Sequence, residues 1–171
     1  TYARRAAIFV LAFVALSFSV RMTVDAAFRR QVLQVVVQVF SDFTEFRYTS
    51  DVKAKEQPGE LEFTYLPEGM ERVETELDER DYFVWYEDCD GRFITLDQSL
   101  VEGNDELIWM LDTEDAEVTE FKVHNYDAIG IQKGADCTIH WTDDQMVYVL
   151  LGRNLPMEEL EKVAEGIQID E

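Results

Sequence analysis

The residues able to do chemistry are scattered. "YEDCDGRFITLD", residues 86–97, comes nearest to a calcium loop, with Asp88, Asp90, Gly91 and Asp97 in the third, fifth, sixth and twelfth places. Tyr86 stands first, where an acid is needed, and the flanks read as strands, so a hairpin turn is expected instead. His124 and His140 are the only histidines. His140 sits between Ile139 and Trp141, facing away from both across a strand, and is expected to be an exposed or half-buried sheet residue. Cys89 and Cys137 belong to no CxxC or Cys/His cluster, which argues against zinc. They read as two separate small apolar residues, or as a pair in an oxidising compartment. No Ser or Cys occupies a nucleophile elbow, and neither GxxxxGK nor GxGxxG occurs. From residue 51 onward 33 acids fall among 121 residues, so no glycosidase-type carboxylate pair stands out. The expectation is therefore no catalytic residue, no cofactor and no metal ligand.

The charge is unevenly divided. Residues 1–50 hold six Arg against Asp25, Asp42 and Glu45, a net of +3; the rest holds nine basic and 33 acidic groups, a net of −24. An acidic body repels phosphate backbones, which excludes nucleic acid as the expected partner. It is also too rich in aromatic and β-branched residues to be a disordered tail. From residue 60 the turn signals come every eight to twelve residues, the mark of a mainly antiparallel sheet, expected over 60–152. "RDYFVWYEDCDGRFITLDQ" is the clearest hairpin, turning at Asp90-Gly91. "ELIWMLD", "EVTEFKVHN", "DAIGIQKG", "CTIHW" and "MVYVLLG" are further strands, with turns at Pro67-Glu68-Gly69, Asn125-Tyr126, Lys133-Gly134 and Asp143-Asp144. A short helix over 155–166 closes the chain, with Asn154 as its expected cap and Leu160, Val163, Ala164 and Ile167 on one apolar face. No linker divides residues 60–171, so one domain is expected.

The head of the chain is different in kind. "AAIFVLAFVALSFSV" runs uncharged from Arg5 to Arg21. Its fifteen residues would make roughly 22 Å of helix, which snorkelling Arg side chains and an extension to Val24 bring to membrane length. A membrane anchor over 1–24 is expected, lodged in lipid through Ile8, Phe9, Val10, Leu11, Phe13, Val14, Leu16, Phe18 and Val20. A signal peptide and a buried core helix are the alternatives. Orientation is not fixed by charge, since basic residues lie on both sides. Beyond it, Phe28, Val32, Val35, Val36, Val39, Phe40, Phe43 and Phe46 recur at three and four, which predicts an amphipathic helix over 25–47. Phe28, Val32, Val36, Val39 and Phe43, with Trp85, Trp109 and Trp141, form the candidate core or ligand face. The tryptophans read as core and edge residues rather than a sugar platform. A start at Thr1 rather than Met leads us to expect sequence upstream.

"LDTEDAEVTEFKVHNYDAIGI" followed by "IHWTDDQMVYVLLGRNLPMEELEKVAEGI" resembles domain-of-unknown-function family 4367. That family's hairpin-and-helix pattern falls here on Trp141, Tyr148, Leu150, Gly152, Leu155, Glu158, Glu159, Leu160, Val163 and Ala164. "YLPEGM" is similar to its P-x-G turn, "TEDAEV" to its acidic turn, and Gln98 to the Gln that ends its second hairpin. Pro156 departs from the pattern, standing where a Ser or Thr cap is usual. The strands and helices read above make an α+β domain, and the resemblance implies that it lies on the outer side of a bacterial cytoplasmic membrane, single-pass, often linked to sigma-factor regulation through a short cytoplasmic segment. No catalytic residue comes with it.

Three readings of function follow. The first is a non-enzymatic, membrane-anchored extracytoplasmic sensor or regulatory domain of the anti-sigma-factor type. Its partners are membrane lipid, through residues 6–24, and a protein. The second is a binding module for an apolar ligand, akin to lipoprotein carriers, which requires a lined cavity between sheet and helices. The third is an acid-dependent hydrolase, which requires two carboxylates converging in a cleft.

Overall fold

The structure, a computed structural model, describes residues 34–39, 43–49, 57–102, 106–143 and 145–169. Twelve strands and one helix are found among them. β1 (Gln34–Val39), β2 (Phe43–Thr49) and β7 (Glu106–Asp112) form a small antiparallel sheet in the order β1-β2-β7. The large sheet has seven strands: β4 (Glu71–Leu77), β5 (Asp81–Glu87), β6 (Phe93–Leu100), β8 (Glu117–Val123), β9 (Tyr126–Lys133), β10 (Asp136–Thr142) and β11 (Met146–Arg153). Their spatial order is β4-β5-β6-β11-β10-β9-β8. β3 (Glu62–Phe63) and β12 (Ile167–Gln168) make a two-residue ribbon, and α1 spans Met157–Glu165. The chain is thus α+β: a mainly antiparallel sheet structure with one short C-terminal helix.

The expected strands from β5 onward are present, and the order shows what periodicity does not. After β6 the chain leaves the large sheet, adds β7 to the small one, and returns as β8 at the far edge. It then meanders back through β9 and β10 until β11 pairs with β6, from Met146 opposite Leu100 to Arg153 opposite Phe93. The strands of 60–152 are therefore divided between the large sheet, the small sheet and the β3 ribbon, where one sheet is expected.

The helix predicted over 25–47 is corrected where the structure describes it. Residues 34–39 and 43–49 are antiparallel strands, with Gln34 opposite Thr49 and Val39 opposite Thr44. The reason is local. QVVVQV and FTEFRYT are β-branched and aromatic, which suits a pleated surface and crowds a helix. Phe46 and Tyr48 are buried while Glu45, Arg47 and Thr49 are less so, a period of two. Spacings of three and four arose only because apolar residues are dense here. The anchor residues Ile8 to Val20, Phe28 and Val32 lie outside the described residues, and among the described residues no helix is long and apolar enough to cross a membrane.

Each face of the large sheet has its own core. On one, Tyr82, Val84, Ile94, Leu96, Ile139, Trp141, Tyr148 and Leu150 meet Leu155, Leu160, Val163, Ala164 and Ile167 from α1 and its flanks. On the other, Ile131, Val147 and Val149 meet Phe46, Tyr48 and Val101, with Leu107 and Trp109 packed alongside. β10 and β11 are central and covered on both sides, so both read as nearly continuous buried runs. Gly152 lets the helix come close: a Cβ there would stand 2.9 Å from Leu160 Cδ1.

Turn chemistry fixes the ends. His124 and Asn125 both take positive φ, 50° and 71°, so the β8–β9 turn lies one residue earlier than the expected Asn125-Tyr126. Asn154, the expected cap, has φ 58° and donates from Nδ2 to Gly91 O at 3.1 Å instead. Pro156 occupies the cap position without a side-chain hydrogen bond, and Glu158 and Glu159 face the positive helix end.

Candidate functional site

The acidic hairpin at 86–97 is a turn held by its own carboxylate. Asp88 Oδ1 accepts from the Asp90 N–H at 2.8 Å and the Arg92 N–H at 3.0 Å, and Asp88 Oδ2 accepts from Arg92 Nε. Burial opposes ionisation of Asp88, but these donors outweigh it and hold the carboxyl below its ordinary value. Among the described residues no group of three His, Cys, Asp or Glu is placed to hold a metal ion. The cysteines are unpaired: Cys89 is exposed, and Cys137 is buried with its Sγ 2.7 Å from Gln132 Oε1 and 3.0 Å from Leu155 O, either of which can accept its one S–H.

His140 departs most from expectation. It does face away from Ile139 and Trp141, but its face is covered by the small sheet, leaving it 2% exposed. Alternation along β10 put it opposite the helix-side core; only the arrival of β2 and β7 buried it. Its ring stacks on Phe46, with centroids 4.7 Å apart, and meets Trp109 edge-on at 6.1 Å. Nδ1 lies 3.4 Å from Tyr48 Oη, and Nε2 has no hydrogen-bond partner among the described residues. Burial without a counter-charge pulls its pKa down to about 3, so the imidazole is neutral at ordinary pH.

Strand register places His140 in a row with other polar groups. Glu120 pairs with Ile129, Ile129 with His140, His140 with Val149, Val149 with Asp97 and Asp97 with Phe83. Asp97 is two strands from His140, so their backbones are about 10 Å apart. Burial, with a smaller contribution from the Asp81 charge, pushes the Asp97 carboxyl up to about 6. Where this row approaches the β8 edge, a cleft of about 540 Å³ opens between the sheets. Phe46, Tyr48, Phe121 and Trp141 line it with His140, and Glu120 and Asp127 supply its carboxylates.

Of the eight residues expected to form a core or ligand face, Phe28 and Val32 lie outside the described residues, and the three tryptophans do not share one face. Trp141 is on the helix side of β10, stacked on its cross-strand partner Tyr148 at 4.9 Å. Trp109 is in the small sheet, near the opposite face of the same strand. Trp85 is far along β5, edge-on to Phe93 at 6.3 Å. Val36, Val39 and Phe43 stand opposite Arg47, Thr44 and Asp112 in the small sheet. Sequence reasoning missed Phe46, Tyr48, Glu120 and Asp127 as neighbours of His140; the alternation of FTEFRYT was the available signal.

The residues shared with the family pattern are structural. Trp141 stacks on Tyr148, whose hydroxyl donates to Asp143 Oδ2 at 2.7 Å and receives Gln98 Nε2 at 3.4 Å. Gly152 admits Leu160, and Glu159 accepts from the Tyr65 hydroxyl and from Lys162 Nζ at 3.1 Å. A family model described as a domain of unknown function (DUF4367) matches residues 60–167, well over half of the chain. The chain belongs to this family. The match starts just before β3 and ends at β12, so it takes in the whole large sheet, α1 and the β7 crossover. No curated protein and no solved structure matches the chain.

Proposed function

We propose that the chain is a non-enzymatic sensor or regulatory module of the anti-sigma-factor type. Residues 6–24 anchor it in a bacterial cytoplasmic membrane, and the acidic body lies on the outer side. The observation that carries this reading is the filled layer between the large sheet and α1. Leu160, Val163 and Ala164 are fully buried there against Ile139, Trp141 and Leu150. An acyl-chain carrier needs a chamber in that layer, as close packing leaves no room otherwise. A solid body acts through its surface, its edges and its attachment, which is how a tethered regulator acts.

The test compares three strains by transcript profile: wild type, one lacking the protein, and one making it without residues 1–24. A tethered regulator gives the same altered profile in the second and third strains. Wild-type transcription in the third strain overturns the reading. An alkaline phosphatase fused after Glu171 is expected to be active, since that enzyme works only outside the cytoplasm.

A further inference from the structure

Among the described residues the large sheet ends in two open edges, β4 and β8, and they are unlike. β4 is interrupted: its register with β5 shifts between Arg72 and Glu74, a bulge that blunts an edge against further pairing. β8 keeps unbroken register with β9, from Glu117 opposite Gln132 to Val123 opposite Tyr126. The two-residue turn at His124-Asn125, with positive φ at both, is closed by a hydrogen-bonded pair, Val123 with Tyr126. Alternation from that pair turns the N–H and C=O of Lys122, Glu120 and Val118 away from β9. No backbone–backbone hydrogen bond joins β8 to anything but β9 among the described residues, and Val118 is 53% exposed.

The surroundings select what can pair there. Thr119 and Phe121 face α1, since a Cβ on Gly130 would meet both of them and Met157. A cleft of about 500 Å³ lies there, and Glu158 and Glu161, three residues apart on one side of α1, line it. Glu120 stands between this cleft and the one of about 540 Å³, and neither lining contains a Lys or Arg. A second copy fits badly. Antiparallel pairing about Glu120 would set that carboxylate against its twin, between bodies that each carry −24 from residue 51 on.

We propose that the β8 edge docks an extended, basic segment of a partner protein as an added strand of the large sheet. Main-chain hydrogen bonds to Val118, Glu120 and Lys122 hold the segment. Its alternate Lys or Arg side chains lay their stems on Phe121 and Met157 and bring their charges to Glu158 and Glu161. The unpaired backbone makes the site, and the carboxylates choose the partner. This inference deepens the regulatory reading by naming the chemistry of the partner, and rests on it for biological meaning only.

The full 171-residue chain, isotope-labelled and in nonionic detergent, is titrated with a fluorescent peptide of alternating lysine and valine. Saturable binding is expected. Amide exchange at Val118, Glu120 and Lys122, fast in the free protein, slows about tenfold or more with peptide bound, as new hydrogen bonds require. The same peptide N-methylated along its backbone keeps its charges and loses its donors, and binds about tenfold more weakly or worse. Val118→Pro removes one outward N–H and no bond to β9, and weakens binding about tenfold, whereas Val118→Thr leaves it unchanged. Circular dichroism verifies that the variants fold, and the exchange measurement needs no variant. Equal binding of the methylated peptide would mean attraction to the acids alone and overturns the proposal. So do an absence of saturation, unchanged exchange at the three outward amides, or dimerisation of the chain through β8. The transcript test stands independently, so failure here and failure of the regulatory role are separately visible.

Discussion

The two faces of the large sheet are built from the same strands and do different work. On the helix side, β5, β6, β10 and β11 present Tyr82, Val84, Leu96, Ile139 and Leu150, and α1 fills the space above them. Some polar groups there are tied together, as in the chain from Gln98 to Tyr148 to Asp143, while Gln98 Oε1 and Trp141 Nε1 have no hydrogen-bond partner among the described residues. On the other side the same strands present Asp97, Thr138 and His140 among Val147 and Val149. The small sheet covers them incompletely and leaves a cleft. The helix side is where the family pattern lies and where stability is concentrated. The small-sheet side holds His140 and Asp97, desolvated groups that titrate at acid pH, whose protonation can change without dismantling the main core.

The sharpest way to break this contrast is to open a hole on the helix side. Leu160→Ala, at a fully buried site, is expected to destabilise by about 3–5 kcal/mol in urea unfolding. Glu120→Gln on the other side leaves the midpoint unchanged. A small loss for Leu160→Ala would show that the helix is an accessory.

The next effect is acid sensitivity. The folded pKa of His140, about 3, lies below the value near 6.5 of an unfolded chain. Its contribution is thus complete above pH 6.5 and drains away as pH falls toward 3, by on the order of a few kcal/mol. His140→Phe, which keeps a ring against Phe46, removes most of that decline. Denaturant midpoints from pH 7 to pH 4 measure it, and an unchanged slope in the variant would place the titrating group elsewhere.

Asp97 works in the opposite direction. Its folded pKa, about 6, is above the unfolded value near 3.9, so its favourable contribution is present below pH 4 and lost as pH rises through 6. Asp97→Asn is therefore expected to stabilise the protein at pH 7.5 by about 1–2 kcal/mol, after discounting for partial exposure. The gain should vanish near pH 4. The smallest effect belongs to the exposed pair of Arg153 with Asp136, at 2.6 Å: Arg153→Gln should barely move Tm, and less still in high salt.

The hairpins were readable because turn residues and alternation are local. Asp90-Gly91 between YFVWY and FIT admits one arrangement, and the helix after Gly152 announced its apolar face at 160, 163, 164 and 167. The candidate site was much less readable. His140 was placed on the correct side of its strand but given water for a neighbour, because what lies over a strand face depends on residues about ninety positions away. Helical spacing in FTEFRYT also hides the alternation that sets Phe46 and Tyr48 on the face covering His140. Dense apolar composition satisfies a period of 3.6 and a period of 2 at once, and β-branching was the better guide.

By itself the sequence determined that this chain carries an acidic, β-rich, antiparallel body closed by a short helix, because alternation, turn residues and charge act over a few neighbouring positions. Only the tertiary structure decided that β7 leaves its neighbours for a second sheet, that this sheet buries His140, and that a cleft with Glu120 and Asp127 forms at its edge. The physical reason is that burial and desolvation are set by whichever distant strands pack above a face, and no local pattern encodes that choice.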